Sequence, residues 1–218
     1  MKHDPAAHAP AGAPERDAPE LSLSEIAALS WRAIRGAGRS WGEAEEGAQA
    51  ACWLARAGLD WAGMLLEVLD LPGDSAACPL RAGLRLADGA ALPDGVARVG
   101  VTLPGVRCPA FILPFAAQAA ARTGQALRLV WQGADVTVPP AAAPVLQGQM
   151  MPRGAVAVTI GADTAAAGPG ASGGWPVRHR ATVTAAQYAR LNALMIAFTV
   201  PASAASLAGA GAAGDDND

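Results

Sequence analysis

Two adjacent carboxylates, Glu45 and Glu46, lie ten residues after a cation, Arg35, in the chain's densest run of specialised side chains. The run is Arg35-Gly36-Ala37-Gly38-Arg39-Ser40-Trp41-Gly42-Glu43-Ala44-Glu45-Glu46. A carboxylate beside a guanidinium is the minimum equipment for acid–base work on an anionic substrate. Glu45 or Glu46 would move the proton, and Arg35 would hold the anion. A second basic pair, Arg178 and Arg180, shares one face of an expected strand and could clamp a carboxylate or phosphate. No acid occurs between Asp163 and Asp215 to pair with them. The plainer alternatives are a solvated strand face or pairing with the N-terminal helices. Asp215, Asp216 and Asp218 could bind a hard cation or reach an arginine pocket, or form a solvated acidic tail.

Other chemistries are excluded by what is missing. The only lysine is Lys2, in the N-terminal tail, so a Schiff-base lysine and a phosphate-loop lysine are both unavailable. Of three histidines, His3 and His8 share that tail, which leaves His179 and no histidine-rich zinc set. Cys52, Cys78 and Cys108 have no CxxC spacing and read as buried, reduced thiols. The formal net charge of -3 argues against nucleic acid, whose phosphates demand a basic stripe. No metal site and no cofactor is expected.

Three motifs match by letters only. Gly168-x-Gly170-x-x-Gly173 resembles a dinucleotide fingerprint, but Pro169 lacks an N–H and the run leads into a strand instead of a helix. Gly209-x-Gly211-x-x-Gly214 stands four residues from the last one. Gly170-x-Ser172-x-Gly174 resembles a nucleophile elbow without the strand before it and the helix after it. The later histidine, His179, falls on the apolar face of its expected strand, where a structural role is commoner.

These residues must be positioned by an α+β fold. We expect residues 1–20 to form a disordered tail. Residues 21–72 read as three helices. Ser22 and Glu25 have capping-box spacing, as do Ser40 and Glu43, and Asp60 opens the third helix. Ile26, Leu29, Ala33 and Ile34 form the inner face of the first helix, while Trp31 and Arg35, four apart on the other side, are spaced to stack. Gly36-Ala37-Gly38 stops that helix. The second helix has a stripe of small residues, Ala44, Gly47, Ala48, Ala51, Cys52 and Ala55, which invites a close neighbour. Glu46 and Trp53 point away from it, and an outward tryptophan marks a second contact surface.

Residues 84–200 read as an α+β unit packed with those helices. Strands are expected at Ala97–Leu103, Leu127–Trp131, Asp135–Val138, Val156–Ile160 and Val177–Val183. Two further helices are expected, from Pro109 to Thr123 and from Ala185 to Phe198. Gln132-Gly133 is a hairpin turn and Pro104-Gly105 a strand-ending turn. The sheet is small, mixed or antiparallel. Residues 201–218 form a Gly/Ala-rich tail ending in acids. No apolar run of about 18 residues occurs, so neither a membrane span nor a secretory leader is expected, and a cytoplasmic location follows.

Leu23-Ser24-Glu25-Ile26 through Arg35-Gly36-Ala37-Gly38, then Trp41-Gly42-Glu43-Ala44-Glu45-Glu46 and Leu113-Pro114-Phe115, resemble the bacterial domain-of-unknown-function family 3726. Val200-Pro201-Ala202-Ser203, Gly209-Ala210-Gly211 and Asp216-Asn217-Asp218 fit that pattern too. No activity comes with the resemblance, so no catalytic residue is carried over. It does imply that the acidic ending is recurrent, which puts a docking or ligand role for it level with a solvated tail.

Two functions follow. The first is an accessory or oligomer-forming protein that acts by association with a protein partner or itself, with Arg35, Trp41 and Trp53 as contact residues. The second is a small-molecule enzyme in which the start of helix two, the Arg178/Arg180 strand and the aspartate tail converge on one concave site.

Overall fold

In a computed structural model, the structure describes residues 18–164 and 178–199. The chain begins with a short strand β1 (Glu20–Ser22), followed by α1 (Leu23–Gly36), α2 (Trp41–Arg56) and α3 (Trp61–Leu69). Both expected capping boxes are present. Ser22 and Ser40 each accept from the backbone N–H three residues on, and Glu25 and Glu43 each reach back to the cap N–H. Asp60 caps α3 by accepting from Gly63. These side chains satisfy N–H groups that a helix start leaves without partners.

The next two helices are α4 (Pro79–Asp88) and the single turn α5 (Val96–Val99). Neither was expected. Pro79 occupies the first turn of α4, where its missing N–H costs nothing, and no side-chain cap announces the helix. The strand expected over Ala97–Leu103 is corrected: β2 spans Val101–Val106, after Gly100 turns the chain at φ +68°. Pro104-Gly105 does not end that strand. It forms an irregularity inside it, between Leu103 and Val106.

A 3-10 turn (Pro109–Ile112) leads into α6 (Leu113–Thr123), closed by Gly124 in the left-handed conformation. The hairpin β3 (Leu127–Trp131) and β4 (Ala134–Val138) turns at Gly133 as expected. The edge strand β5 (Val145–Gly148) was not expected, because its residues are largely exposed and carry no alternation. Next come β6 (Val156–Ala162), β7 (Arg180–Thr182) and α7 (Ala185–Phe198), the last with a Thr184–Gln187 capping box.

The main sheet has the order β2-β6-β3-β4-β5, every neighbouring pair antiparallel. Its buried face is Leu127, Leu129 and Trp131 of β3, Val136 and Val138 of β4, and Val158 and Ile160 of β6. Strand alternation sends these to one side, where α6 covers β3 and β4. The helices form the second layer. α1 packs on α2 and on α7, while α4 packs on α6 and the 3-10 turn. One continuous core joins both layers, from Ile26 and Leu54 through Trp61, Phe111 and Phe115 to Ile160.

A separate two-stranded ladder, β1 with β7, ties the start of the described chain to its end. It delivers α7 onto α1. Gly36 makes that contact possible: a methyl added there would lie 1.7 Å from the Leu194 carbonyl oxygen. The helix stop is Gly38, at φ +78°, so Gly36 serves packing.

Candidate functional site

The α1–α2 turn places Arg35, in the last turn of α1, beside Trp41, the first residue of α2. The Arg35 guanidinium carbon lies 4.7 Å from the centre of the Trp41 ring and 5.5 Å from that of Phe198. The expected stacking of Arg35 on Trp31 is thus corrected. Trp31 instead meets Trp41 edge-on at 5.1 Å and Phe198 at 5.4 Å. Side chains four apart on a helix are neighbours, but Trp41 and Phe198 bring ring faces from two other segments. Arg35 also donates to the Arg39 carbonyl, and its buried Nε has no hydrogen-bond partner among the described residues. Trp41 remains 64% exposed. An aromatic-faced cation with an exposed tryptophan is equipped for recognition.

Beyond Trp31 a groove of about 730 Å³ runs between α1 and α2. Its floor is Ala27, Trp31, Ala48, Cys52 and Trp53, with Glu45 and Arg56 along its length. Trp53 is half-buried in this floor, packed against the core. The Cys52 thiol donates to the Leu23 carbonyl at 3.3 Å, and burial pushes its pKa up. Glu45 is exposed on the groove side. Glu46 faces elsewhere and accepts from Gln118 of α6 at 3.4 Å. The two glutamates therefore serve different surfaces.

Arg180 pairs with Glu20 across the β1–β7 ladder, at 3.1 Å, and also donates to the Glu20 carbonyl. Its partner is thus the strand that enters α1. Arg178 lies over Gly58, just past the end of α2, where an added methyl would sit 3.1 Å from the guanidinium. This end is a full helix length, about 24 Å for sixteen residues, from Trp41. The start of helix two and the arginine strand accordingly do not share a concavity. His179 is exposed instead of lying on a buried face, and its carbonyl accepts from the Leu23 N–H. Asp215, Asp216 and Asp218 lie outside the described residues, as do the three glycine motifs and residues 1–17.

Sequence reasoning missed two arginines. Arg39 is 3% exposed and donates to the Val68 carbonyl at 3.0 Å and to the Leu71 carbonyl at 2.7 Å. These carbonyls sit at the C-terminal end of α3, the negative end of its dipole. Arg81 of α4 donates through Nε to Glu43 at 2.8 Å. Burial works to raise the Glu43 carboxyl, but the Arg81 bond and those from Ser40 together hold it below its ordinary value. Ser40–Glu43 spacing was legible as a cap. The third member, 38 residues on, left no local signal.

Arg81 and Arg85 stand on one wall of a second cleft, about 600 Å³, between α4, the following loop and β2. Among the described residues no group of three or more histidine, cysteine or acidic side chains is arranged to hold a metal ion. None of the described helices is long and apolar enough to cross a membrane.

Fold and surfaces together define an α+β protein with a helical layer on an antiparallel sheet. Three of its aromatic rings, Trp31, Trp41 and Phe198, are gathered at one helix-pair end. Residues 21–96 match the family described as Protein of unknown function (DUF3726), which bears out the resemblance over α1 to α4. The matched stretch contains Arg35, Trp41, Arg39 and Glu43 and stops before the sheet. No curated protein and no solved structure matches the chain.

Proposed function

We propose that the protein works by association, and that the α1–α2 groove is where a second copy of the chain docks. The observation that carries this reading is the placement of Glu45 and Arg56. They line the same groove and carry opposite charges. Neither makes an ion pair among the described residues. Eleven residues is three helical turns, so both lie on one stripe of α2, about 16 Å apart. An antiparallel two-fold pairing of this stripe sets Glu45 of each copy against Arg56 of the other. Such self-complementarity is what an isologous interface requires. The small side chains between them, Ala48 and Cys52, let two helices approach closely, and Trp31 and Trp53 supply apolar area.

Light scattering on size-exclusion fractions tests it. The expected mass is twice 21.8 kDa. Glu45→Arg or Arg56→Glu sets like charges face to face twice per dimer, which costs several kcal/mol, so each variant should run as a monomer. The double exchange restores the pairing and the dimer. A monomeric wild type, or single variants that stay dimeric, overturns the reading.

A further inference from the structure

We infer that the cleft between α4 and β2 binds a small amphipathic monoanion, with Arg81 and Arg85 as its head-group site. This rests on observations separate from the groove. The volume, about 600 Å³, is in the range of small-molecule sites. One wall presents Arg81 and Arg85, four apart and so on one face of α4. Apolar lining comes from Leu92 and Val96 after α4 and from Val101 and Leu103 of β2, with Asp94 on the same stretch as Leu92 and Val96. Leu92, which lines the cleft, is an apolar side chain left 54% exposed by the described residues.

The two arginines are available in different ways. Arg81 is held at Nε by Glu43, which is in turn fixed by the Ser40 cap, so its guanidinium is pre-positioned, with both terminal amino groups left over among the described residues. The Arg85 guanidinium makes no hydrogen bond or ion pair among the described residues. A guanidinium fork matches a carboxylate in two-point geometry. Asp74 and Asp94 also line the cleft, both exposed, and with Glu43 on Arg81 the nearby carboxylates outnumber the two arginines. A polyanion such as a nucleotide triphosphate therefore gains no net attraction here. A single compact carboxylate can bind Arg81 and Arg85 locally while its apolar body lies on the leucine and valine side chains.

Octanoate is the probe, with binding measured by calorimetry and by amide shifts of the full chain. Octanoate should bind one to one and shift residues of α4 and β2. Arg85→Gln, an exposed substitution that leaves the fold alone, should weaken it at least tenfold. Arg98→Gln, outside this cleft, should leave affinity unchanged. Leu103→Trp, which fills the apolar part of the cleft, should abolish binding. Octanol should bind at least tenfold more weakly than octanoate. The inference is overturned if octanoate does not bind, if the shifted residues lie elsewhere, if Arg85→Gln binds as wild type does, or if octanol matches octanoate.

Discussion

Arg39 donates to the Leu71 carbonyl at 2.7 Å from a position 3% exposed, so a buried cation joins the α1–α2 turn to the end of α3. The same guanidinium reaches the Val68 carbonyl at 3.0 Å and the Cys78 thiol at 3.9 Å. Three segments that are distant in sequence meet at one side chain. Its carbonyl partners are at a helix C-terminus, where a cation is favoured.

Arg39→Met is therefore expected to destabilise the fold by about 3 kcal/mol, because buried carbonyls lose charge-assisted bonds without replacement. Urea denaturation measures it. A loss below about 1 kcal/mol would mean that these carbonyls find other partners readily.

Gly36 and Gly38 should respond differently to alanine. At Gly38 the space is open and only the left-handed backbone resists, at a cost of about 1 kcal/mol. At Gly36 the new methyl meets the Leu194 carbonyl oxygen, so α7 must move away from α1. Gly36→Ala should cost about 2 kcal/mol or more, as overpacking does. It should also change the near-ultraviolet circular dichroism of the Trp31, Trp41 and Phe198 cluster. Equal losses at the two sites would contradict the close approach of α1 and α7.

The Glu43–Arg81 pair predicts an acid response. The folded Glu43 carboxyl lies below its ordinary value of 4.5. Its contribution is thus fully present above that value and is lost as pH falls through the folded pKa. Glu43→Gln should reduce stability at neutral pH. The gap between variant and wild type should narrow below about pH 4.5. A gap independent of pH would assign Glu43 a packing role alone.

Cysteine reactivity supplies a further check. Burial pushes the Cys108 pKa up to about 12, and its thiol donates to the Met64 carbonyl at 3.8 Å. At pH 8 the native protein should show no alkylation of Cys108 by iodoacetamide, while unfolding in urea should make all three cysteines react. Rapid native labelling of Cys108 would show that this part of the core opens.

Much of the helical layer was legible because its signals are local. A capping box needs only four residues, so the starts of α1, α2 and α7 could be read directly. Hairpin β3–β4 was legible from alternation around Gln132-Gly133. By contrast, α4 lacked a side-chain cap and β5 is an exposed edge strand, so neither carried a pattern strong enough to read. Of the candidate residues, Arg35 and Trp41 do come together, but with Phe198 as their third member. Glu45 and Glu46, adjacent in sequence, face different neighbours. One residue of helix rotates a side chain by about 100°, enough to separate a would-be acid–base pair.

What the sequence alone determined is where α1, α2, α3 and α7 begin, where Gly38, Gly124 and Gly133 turn the chain, and that β3, β4 and β6 are strands. These depend on interactions within a few residues. Which arginine meets which partner was decided only in three dimensions. Arg39 finds carbonyls of α3, Arg81 finds Glu43, and Arg180 finds Glu20, at separations of 29 to 160 residues. A long flexible cation has many possible partners in the chain, and only the packing of helices against one another selects among them.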